Sequence, residues 1–312
     1  AASSSTSRAA AATTAATVYP AAATRASHSH SGHSHHGTPH PHTAAPPSND
    51  APVLYTRHGT ALTVSLNRPK ALNSLNLDMV RSMAGVVATW AADASLAVVI
   101  LTGGGGKAFC AGGDIKSLWD GRGSEATAAA QDAFFREEYR LDYALAVSNT
   151  TVPHVALYDG IVMGGGVGIS IHAGFRVATE RAMFAMPETG IGLFPDVGGS
   201  YFLPRLPRRL GEYLALSGHR LKGADLVHAG VATHFVPAAS LPALTADLAA
   251  LPASAPDRAA AVATVLARHA TPPPALPPFS LSVPARDLIE SAFAADTVEG
   301  IVAALEGAAG SG

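Results

Sequence analysis

The pattern of apolar and polar positions after residue 52 predicts strands that alternate with helices. Short apolar or alternating runs are typical of strands, and they occur at 53–57, 60–66, 97–102, 152–158 and 175–178. Apolar residues recur at the spacing of one helix face over 76–92 and 131–147. His58-Gly59, between the first two strands, indicates an antiparallel hairpin. The sequence therefore predicts an α/β layered domain.

Residues 1–49 differ in composition from the rest of the chain. They contain no Asp, Glu or Lys, and Arg8 and Arg25 are surrounded mainly by Ala, Ser, Thr, Pro and His. Such a composition cannot bury a core. An acid-free, Ser-rich segment with scattered Arg is typical of an organellar transit peptide. We therefore expect a disordered leader and a mitochondrial location, with a peroxisomal or plastid location as the alternative.

The leader is also rich in histidine, which makes it a candidate for binding a divalent metal ion. Its histidines are His28, His30, His33, His35, His36, His40 and His42. A solvated low-complexity tract explains them more simply. The sequence therefore predicts no metal site.

After Pro237 the chain becomes rich in Ala and Pro. Helical spacing recurs at 241–251 and 296–305, on either side of a linker that contains five prolines between 272 and 278. The end, 307–312, has the composition of a flexible tail. We therefore divide the chain into the leader 1–49, a core 50–237 and a partial C-terminal helical region 238–312.

Charge and cysteine content exclude several classes of function. The formal net charge is -2 and only 14% of residues are charged, so no basic field attracts nucleic acid or an anionic membrane. No run of eighteen apolar residues is present to span a bilayer. Cys110 is the only cysteine and cannot pair within the chain, which favours a reducing compartment.

Two glycine-rich segments, 108–115 and 160–168, carry candidate chemistry. Glycine lets the backbone approach a ligand closely and exposes its N–H donors. Where a helix begins after such a segment, its free N–H groups and positive dipole end suit a developing oxyanion. Either segment alone is more often a packing feature than a site.

Taken with Asn67-Arg-Pro-Lys-Ala-Leu-Asn73, the two segments resemble the three signature segments of the crotonase (enoyl-CoA hydratase/isomerase) superfamily. The resemblance extends over about 54–236 and implies a ClpP/crotonase-like spiral of repeated ββα units that binds an acyl-CoA. It implies that the amides of Gly113 and Gly165 bind the thioester carbonyl oxygen. Other positions that it places against the substrate are Lys70, Ala71, Leu72, Gly112 and Asp114.

The carboxylates separate this chain from the hydratases of the superfamily. Hydratases use two glutamates, one of them three residues after the second oxyanion glycine, and that position is Gly168 here. Glu188 matches the other glutamate, while Asp196 stands where hydratases generally have glycine. The segment 186–199, followed by Tyr-Phe-Leu-Pro-Arg-Leu206, resembles the 3-hydroxyisobutyryl-CoA hydrolase branch. The resemblance therefore implies that Glu188 and Asp196 are catalytic.

Without the resemblance, ordinary structural roles explain both residues. Glu188 follows Pro187 and fits the first turn of a helix, where a carboxylate is stabilised by the helix dipole. Asp196 fits the cap of a following helix. These alternatives stay open at the level of the residues.

Glu138 is informative on physical grounds. It shares a predicted helix face with the apolar residues Phe134, Leu141 and Leu145. A carboxylate on an apolar face must be paired, hydrogen-bonded or functional. The resemblance also implies that Glu138 contributes to the substrate pocket, whereas we expect its neighbour Glu137 to be solvated.

The reaction implied by the resemblance is hydrolysis of 3-hydroxyisobutyryl-CoA, or a similar short 3-hydroxyacyl-CoA, as in valine catabolism, with no metal or redox cofactor. Glu188 would attack as a nucleophile or activate water. Enoyl-CoA hydratase/isomerase chemistry is one alternative. A non-catalytic relative that binds CoA esters is the other, because members of the branch continue past the point matching Gly312. Those further helices support assembly in the branch, so the resemblance also raises the prospect of a homo-oligomer.

Overall fold

The structure is a computed structural model that describes residues 50–123 and 125–310. The predictions for the leader 1–49, which are disorder, a transit peptide and a solvated histidine tract, lie outside these residues.

Two sheets form the centre of the fold. The larger sheet has six strands in the order β1 (Val53–His58), β2 (Ala61–Leu66), β3 (Val98–Gly103), β5 (His154–Tyr158), β7 (Phe175–Ala178) and β10 (His234–Phe235). The smaller sheet has four strands in the order β4 (Ala108–Cys110), β6 (Ile161–Met163), β8 (Met183–Ala185) and β9 (Leu221–Lys222). β1 and β2 form the predicted antiparallel hairpin, and the pairs from β2 to β10 are parallel.

Helices cover the sheets and make up the C-terminal region. They are α1 (Leu77–Ala92), α2 (Ile115–Asp120), α3 (Glu125–Ser148), α4 (Gly165–Gly168), α5 (Gly199–Phe202), α6 (Leu210–Ser217), α7 (Asp225–His228), α8 (Leu241–Ala249), α9 (Arg258–His269), α10 (Val283–Ala292) and α11 (Val298–Ala309). The side chain of Asn76 accepts the N–H of Met79 and so caps the start of α1. α1 packs against α3.

Successive strands alternate between the two sheets. β3, β5 and β7 lie in the larger sheet, and the strand that follows each of them, β4, β6 or β8, lies in the smaller one. β4, β6 and β8 are parallel neighbours. Since parallel strands share a direction, their carboxyl ends meet at one edge of the smaller sheet. The segments that follow these strands are therefore brought together by the topology.

The core lies in two clusters. The larger one lies around the two sheets, α1 and α3, and includes Trp90, Phe109 and Tyr158. In the smaller one, Leu244 of α8 and Leu266 of α9 pack with apolar side chains of the larger sheet. Burying one such side chain contributes roughly 1.5–3 kcal/mol. The C-terminal helices are therefore integral to the packing of the described chain.

Most of the predicted elements are confirmed. All the predicted strands are present, and the second predicted helix begins at Glu125 rather than at 131. In the C-terminal region two helices were not predicted and one expectation is wrong. α9 and α10 also form, capped by the side chains of Asp257 and Ser282, although the composition indicated only the flanking helices. α11 continues to Ala309, so 307–309 is helix rather than flexible tail.

No helix in the described ranges combines the length and the apolar character needed to cross a bilayer.

Candidate active site

The carboxyl edge of the smaller sheet gathers the candidate site. The segment after β4 carries Gly112 and Gly113, the segment after β6 carries Gly164 and Gly165, and the segment after β8 carries Glu188. A side chain added to Gly112 would lie 3.8 Å from the amide nitrogen of Gly165. Gly113 and Gly165 are 52 positions apart in the sequence, yet the two glycine segments that carry them are neighbours in the structure.

The amide N–H of Gly113 makes no hydrogen bond in the local backbone pairing with Leu75. Its bridge to Leu75 uses the carbonyl of Gly112, which accepts from Leu75 at 2.8 Å, and the amide of Asp114, which donates to Leu75 at 2.7 Å. The N–H of Gly113 lies between these two bonds and takes no part in either. Gly112 has a φ of 107°, which side-chain-bearing residues rarely adopt. The glycine pair thus permits a turn that leaves an amide for a ligand.

Gly165 is the first residue of α4, so its N–H is one of the groups that have no partner within a helix. A Cβ at this position would lie 2.2 Å from Oε1 of Glu138. Only glycine fits here while Glu138 keeps its place. The amides of Gly113 and Gly165 are backbone donors in two neighbouring segments, which is the arrangement that the predicted oxyanion hole requires.

Glu138 lies on the buried face of α3, as its spacing predicted, and is 2% exposed. Its Oε1 has no hydrogen-bond partner among the described residues. Burial, reinforced by the charge of Asp196, raises the pKa of Glu138 to about 8. At neutral pH this carboxyl is mostly protonated and can donate a hydrogen bond. Glu137, expected in solvent, is partly exposed and forms two exposed hydrogen bonds with Arg81.

Glu188 begins a short 3-10 helix that runs to Ile191. The side chain is 5% exposed, and its Oε2 has no hydrogen-bond partner among the described residues. Its Oε1 would lie 3.1 Å from a side chain added to Gly164. Burial, reinforced by the charge of Asp196, raises the pKa of Glu188 to about 7. The residue does occupy a first turn, but it is buried beside the glycine segments, which is where a reacting carboxylate has to be.

Asp196 lies in the loop between Ile191 and α5. Its side chain does not cap that helix, whose N-cap residue is Gly198 and which has no side-chain cap. Instead, Oδ2 of Asp196 accepts a hydrogen bond of 2.7 Å from the hydroxyl of Tyr139. The structural alternative for Asp196 is therefore wrong, because its carboxylate points to α3.

Asp142 is a buried carboxyl that the sequence analysis missed. It lies one turn after Glu138 on α3, is 5% exposed, and neither oxygen has a hydrogen-bond partner among the described residues. Burial, reinforced by the charges of Glu138 and Asp196, raises the pKa of Asp142 well above its ordinary range. The i, i+4 spacing from Glu138 was the signal that could have found it.

Gly168 leaves the space that Asp142 uses. A Cβ at position 168 would lie 2.7 Å from Oδ2 of Asp142 and 2.6 Å from Cβ of Val197. A carboxylate side chain at position 168 would require both neighbours to move. The structure thus agrees with the sequence interpretation that residue 168 supplies no catalytic side chain.

Two adjoining cavities open at this edge. The smaller, of about 140 Å³, is lined by both glycine segments and by three of the predicted carboxyl residues, Glu138, Glu188 and Asp196. The larger, of about 720 Å³, is lined by Tyr139, Asp142, His172 and several apolar side chains. Asp196 and Val197 line both cavities. The predicted catalytic and oxyanion residues are therefore together in the smaller cavity.

Of the other predicted substrate contacts, Lys70, Ala71, Leu72 and Asp114 lie outside the smaller cavity. Lys70 and Ala71 belong to the 3-10 helix Pro69–Ala71, and the carbonyl of Leu72 accepts the N–H of Ala111 at 3.1 Å, so this segment flanks the first glycine turn. Asp114 caps α2 and forms a salt bridge of 2.8 Å with Arg68. Gly112 does line the smaller cavity. The contacts of these residues with CoA stay predictions.

Within residues 50–123 and 125–310, no three His, Cys, Asp or Glu side chains are grouped as metal ligands would be.

Comparisons with known proteins agree with this geometry. The family model described as Enoyl-CoA hydratase/isomerase matches residues 61–312. The chain is 51% identical over 255 residues to a protein of Xenopus tropicalis named 3-hydroxyisobutyryl-CoA hydrolase, mitochondrial, with 81% of this chain and 64% of that protein covered. The human protein of the same name is 48% identical over 258 residues, with the same two shares. The chain thus spans somewhat less than two thirds of the length of these relatives.

Solved structures give the same family. A carnitinyl-CoA dehydratase from Mycobacterium thermoresistibile superposes with a TM-score of 0.72 at 39% identity, covering 82% of this chain and 71% of that one. An enoyl-CoA hydratase from Rhodobacter sphaeroides superposes with a TM-score of 0.70 at 38% identity, covering 82% and 70%. The predicted crotonase fold of repeated ββα units is confirmed. On these matches, the chain belongs to the enoyl-CoA hydratase/isomerase family.

Proposed function

We propose that this chain hydrolyses the thioester of 3-hydroxyisobutyryl-CoA, or of a similar short 3-hydroxyacyl-CoA, to the free acid and CoA. The observation that carries the proposal is the placement of Glu188 in one small cavity with the amides of Gly113 and Gly165. The relatives named 3-hydroxyisobutyryl-CoA hydrolase support the choice of reaction and of acyl group.

The two glycine amides would polarise the thioester carbonyl. Negative charge grows on this oxygen as the carbonyl carbon becomes tetrahedral, and fixed N–H donors stabilise it without reorganisation. Each such donor commonly contributes about 2.7–4 kcal/mol to the transition state. Because both amides belong to the backbone of packed segments, the hole exists before the substrate binds.

Glu188 would supply the reacting carboxylate. A pKa of about 7 leaves a large fraction of the side chain ionised at neutral pH while keeping it basic. It would either attack the carbonyl carbon, giving an anhydride that water then opens, or remove a proton from an attacking water. In both routes the carbon–sulfur bond breaks, one water is consumed overall to give the free acid, and CoA leaves as the thiol.

Glu138 and Asp196 would hold the acyl hydroxyl, the water or the proton. Glu138 is mostly protonated at neutral pH, so it is suited to donate a hydrogen bond beside Gly165. Asp196 borders both cavities. The segment of Lys70, Ala71 and Leu72 would bind the CoA nucleotide, with Gly112 and Asp114 nearby. This chemistry needs no metal or redox cofactor.

The likeness to a dehydratase and a hydratase makes hydration of an enoyl-CoA the second candidate. Gly168 argues against a two-glutamate hydration, because a side chain there would overlap Asp142 and Val197. A mitochondrial location is proposed on the names of the relatives and on the composition of residues 1–49.

The two reactions are separated by one pair of assays on the same preparation. Release of free thiol from 3-hydroxyisobutyryl-CoA is followed with a thiol reagent, and hydration of crotonyl-CoA is followed by loss of its enoyl absorbance. We expect thiol release and little hydration. Rapid hydration without thiol release would show the hydratase alternative. CoA-ester binding without either reaction would show a non-catalytic relative.

A further inference from the structure

Tyr139 connects α3 to the loop that carries Asp196. Its hydroxyl donates the 2.7 Å hydrogen bond to Oδ2 of Asp196, although the two residues are 57 positions apart. The other oxygen, Oδ1, makes no hydrogen bond with a described residue. One carboxylate oxygen is therefore held by Tyr139, and the other is available to a ligand in the cavities that Asp196 borders.

The loop is also held in a conformation that its sequence does not favour. Val197, directly after Asp196, has a φ of 42°, and Gly198 has a φ of 84°. β-branched residues rarely adopt left-handed angles, and such strain persists where the surrounding structure imposes it. Val197 is buried against Gly168. The direction of the Asp196 side chain thus depends on packing at Val197 and on the bond from Tyr139.

Tyr139 follows Glu138 on α3, so their side chains leave the helix about 100° apart. Glu138 reaches Gly165, where its Oε1 would lie 2.2 Å from an added Cβ, while Tyr139 reaches Asp196. One rigid helix therefore sets the position of Asp196 relative to the second oxyanion glycine.

We propose that Tyr139 is a positioning residue that acts through Asp196, fixing one oxygen of this carboxylate so that the other meets the substrate or the attacking water. The proposal rests on the proposed function for its kinetic consequences. It assigns no contact between Tyr139 and the substrate, and so predicts a loss in turnover rather than in substrate binding.

The experiment compares wild type, Tyr139→Phe, Asp196→Asn and the double variant. Tyr139→Phe keeps the ring and removes only the hydroxyl. Because a hydrogen bond to a charged group is lost, kcat for thiol release should fall roughly tenfold to a hundredfold, with KM changed by less than about twofold. In the Asp196→Asn background the same substitution should cause no further loss in kcat, since the two residues act as one unit.

Tyr55→Phe is the matched control. It also removes a hydrogen-bonded phenol hydroxyl, the 3.0 Å contact with Ser82, but Tyr55 lies on β1 and lines neither cavity of the site. It should leave kcat unchanged. Melting temperatures of all variants separate loss of positioning from loss of folding.

A spectroscopic titration tests the contact without using activity. Burial, followed by the hydrogen bond and the charge of Asp196, raises the pKa of Tyr139. In Asp196→Asn, one tyrosine should therefore ionise at lower pH than in wild type, in near-ultraviolet difference spectra. That extra signal should be absent from the double variant.

The outcomes are distinguishable. Additive losses in the two variants, or an undiminished kcat for Tyr139→Phe, would overturn the positioning role. If wild type releases no thiol, the proposed function fails. The same four proteins are then compared in whichever acyl-CoA reaction wild type performs, and the titration tests whether Tyr139 and Asp196 are in contact. An unchanged tyrosine titration in Asp196→Asn would overturn that contact.

Discussion

Helix α3 carries buried polar side chains at two places, which differ in whether the polar atoms have hydrogen-bond partners. In its middle, Glu138 and Asp142 have buried oxygens without hydrogen-bond partners among the described residues. At its end, Ser148 donates to the carbonyl of Leu145 at 3.1 Å, contacts Nε2 of His154 at 3.2 Å and accepts from the indole of Trp90 at 3.4 Å. Buried polar groups are normally satisfied in this second way. The unsatisfied groups face the cavities, where a substrate can supply the missing partners.

Burial disfavours the charged state at both places and therefore shifts the two pKa values in opposite directions. It raises the pKa of Glu138 to about 8 and lowers the pKa of His154 to about 4, because in each case the charged form is the one that loses water. The middle of the helix thus carries carboxyl groups with raised pKa values, and shifted pKa values are typical of functional sites. The end of the helix holds a neutral, hydrogen-bonded cluster.

The largest expected effect is that of Gly165→Ala. The new Cβ would lie 2.2 Å from Oε1 of Glu138, so the amide or the carboxyl must move. Loss of one oxyanion donor costs about 10²–10³ in kcat. Thiol-release kinetics measure this. Gly190→Ala is the control, because a Cβ there meets no atom within 4 Å. Equal, small effects of the two substitutions would argue against an oxyanion hole at Gly165.

The two places should also give opposite pH dependences of stability. Glu138 has a folded pKa above its unfolded value, so its contribution is complete below about pH 4.5 and is lost as the pH rises to about 8. His154 has a folded pKa below its unfolded value, so stability is lost as the pH falls from 6.5 to about 4. Each group changes the free energy of unfolding by at most about 1.4 kcal/mol per pH unit.

Denaturant unfolding across pH 4–9 tests these slopes. Glu138→Gln should reduce the decline in the free energy of unfolding above pH 5. It should leave the loss of stability between pH 6.5 and pH 4, which is due to His154, unchanged. A difference in the free energy of unfolding between wild type and Glu138→Gln that stays constant from pH 5 to pH 8 would contradict the assignment of Glu138 as a buried, protonated carboxyl.

Ser148→Ala should cost stability without affecting catalysis. It removes the hydroxyl that joins Trp90 and His154, and leaving buried partners unsatisfied costs about 1–3 kcal/mol. Chemical denaturation gives the free energy of unfolding, and thiol release gives kcat. A fall in kcat with unchanged stability would show that the end of α3 is coupled to the site.

The smallest effect is expected for Asp142→Leu. The substitution removes two unsatisfied buried oxygens and keeps a side chain of similar shape, so stability should be unchanged or higher by about 1 kcal/mol. A loss of several kcal/mol, measured by the same denaturation, would show that Asp142 has a stabilising partner.

Local patterns were sufficient for much of the fold. The hairpin of β1 and β2, the strand β3 and the apolar face around Glu138 all follow from periodicity, which depends only on nearby residues. β4, β6 and β8 have three residues each, too few to show a period. They were therefore not predicted, although their shared edge is what assembles the site.

Within the site, motif-bearing residues were predictable and contact-dependent ones were not. Gly113, Gly165 and Glu188 stand in segments that resemble a family, and the structure brings them together. The role of Tyr139 depends on a loop 57 residues away, which no local pattern encodes. The sequence offered two explanations for Asp196, and only the direction of its side chain separates them.

Thiol release by Glu188→Gln tests the central claim most directly. The substitution keeps the size of the side chain and much of its hydrogen bonding, but removes the carboxylate that we propose attacks the thioester or activates water. Turnover of 3-hydroxyisobutyryl-CoA should fall by roughly a hundredfold or more, while calorimetric affinity for the CoA ester changes by no more than a few fold. Near-normal turnover in this variant would contradict the assignment of Glu188 as the reacting carboxylate.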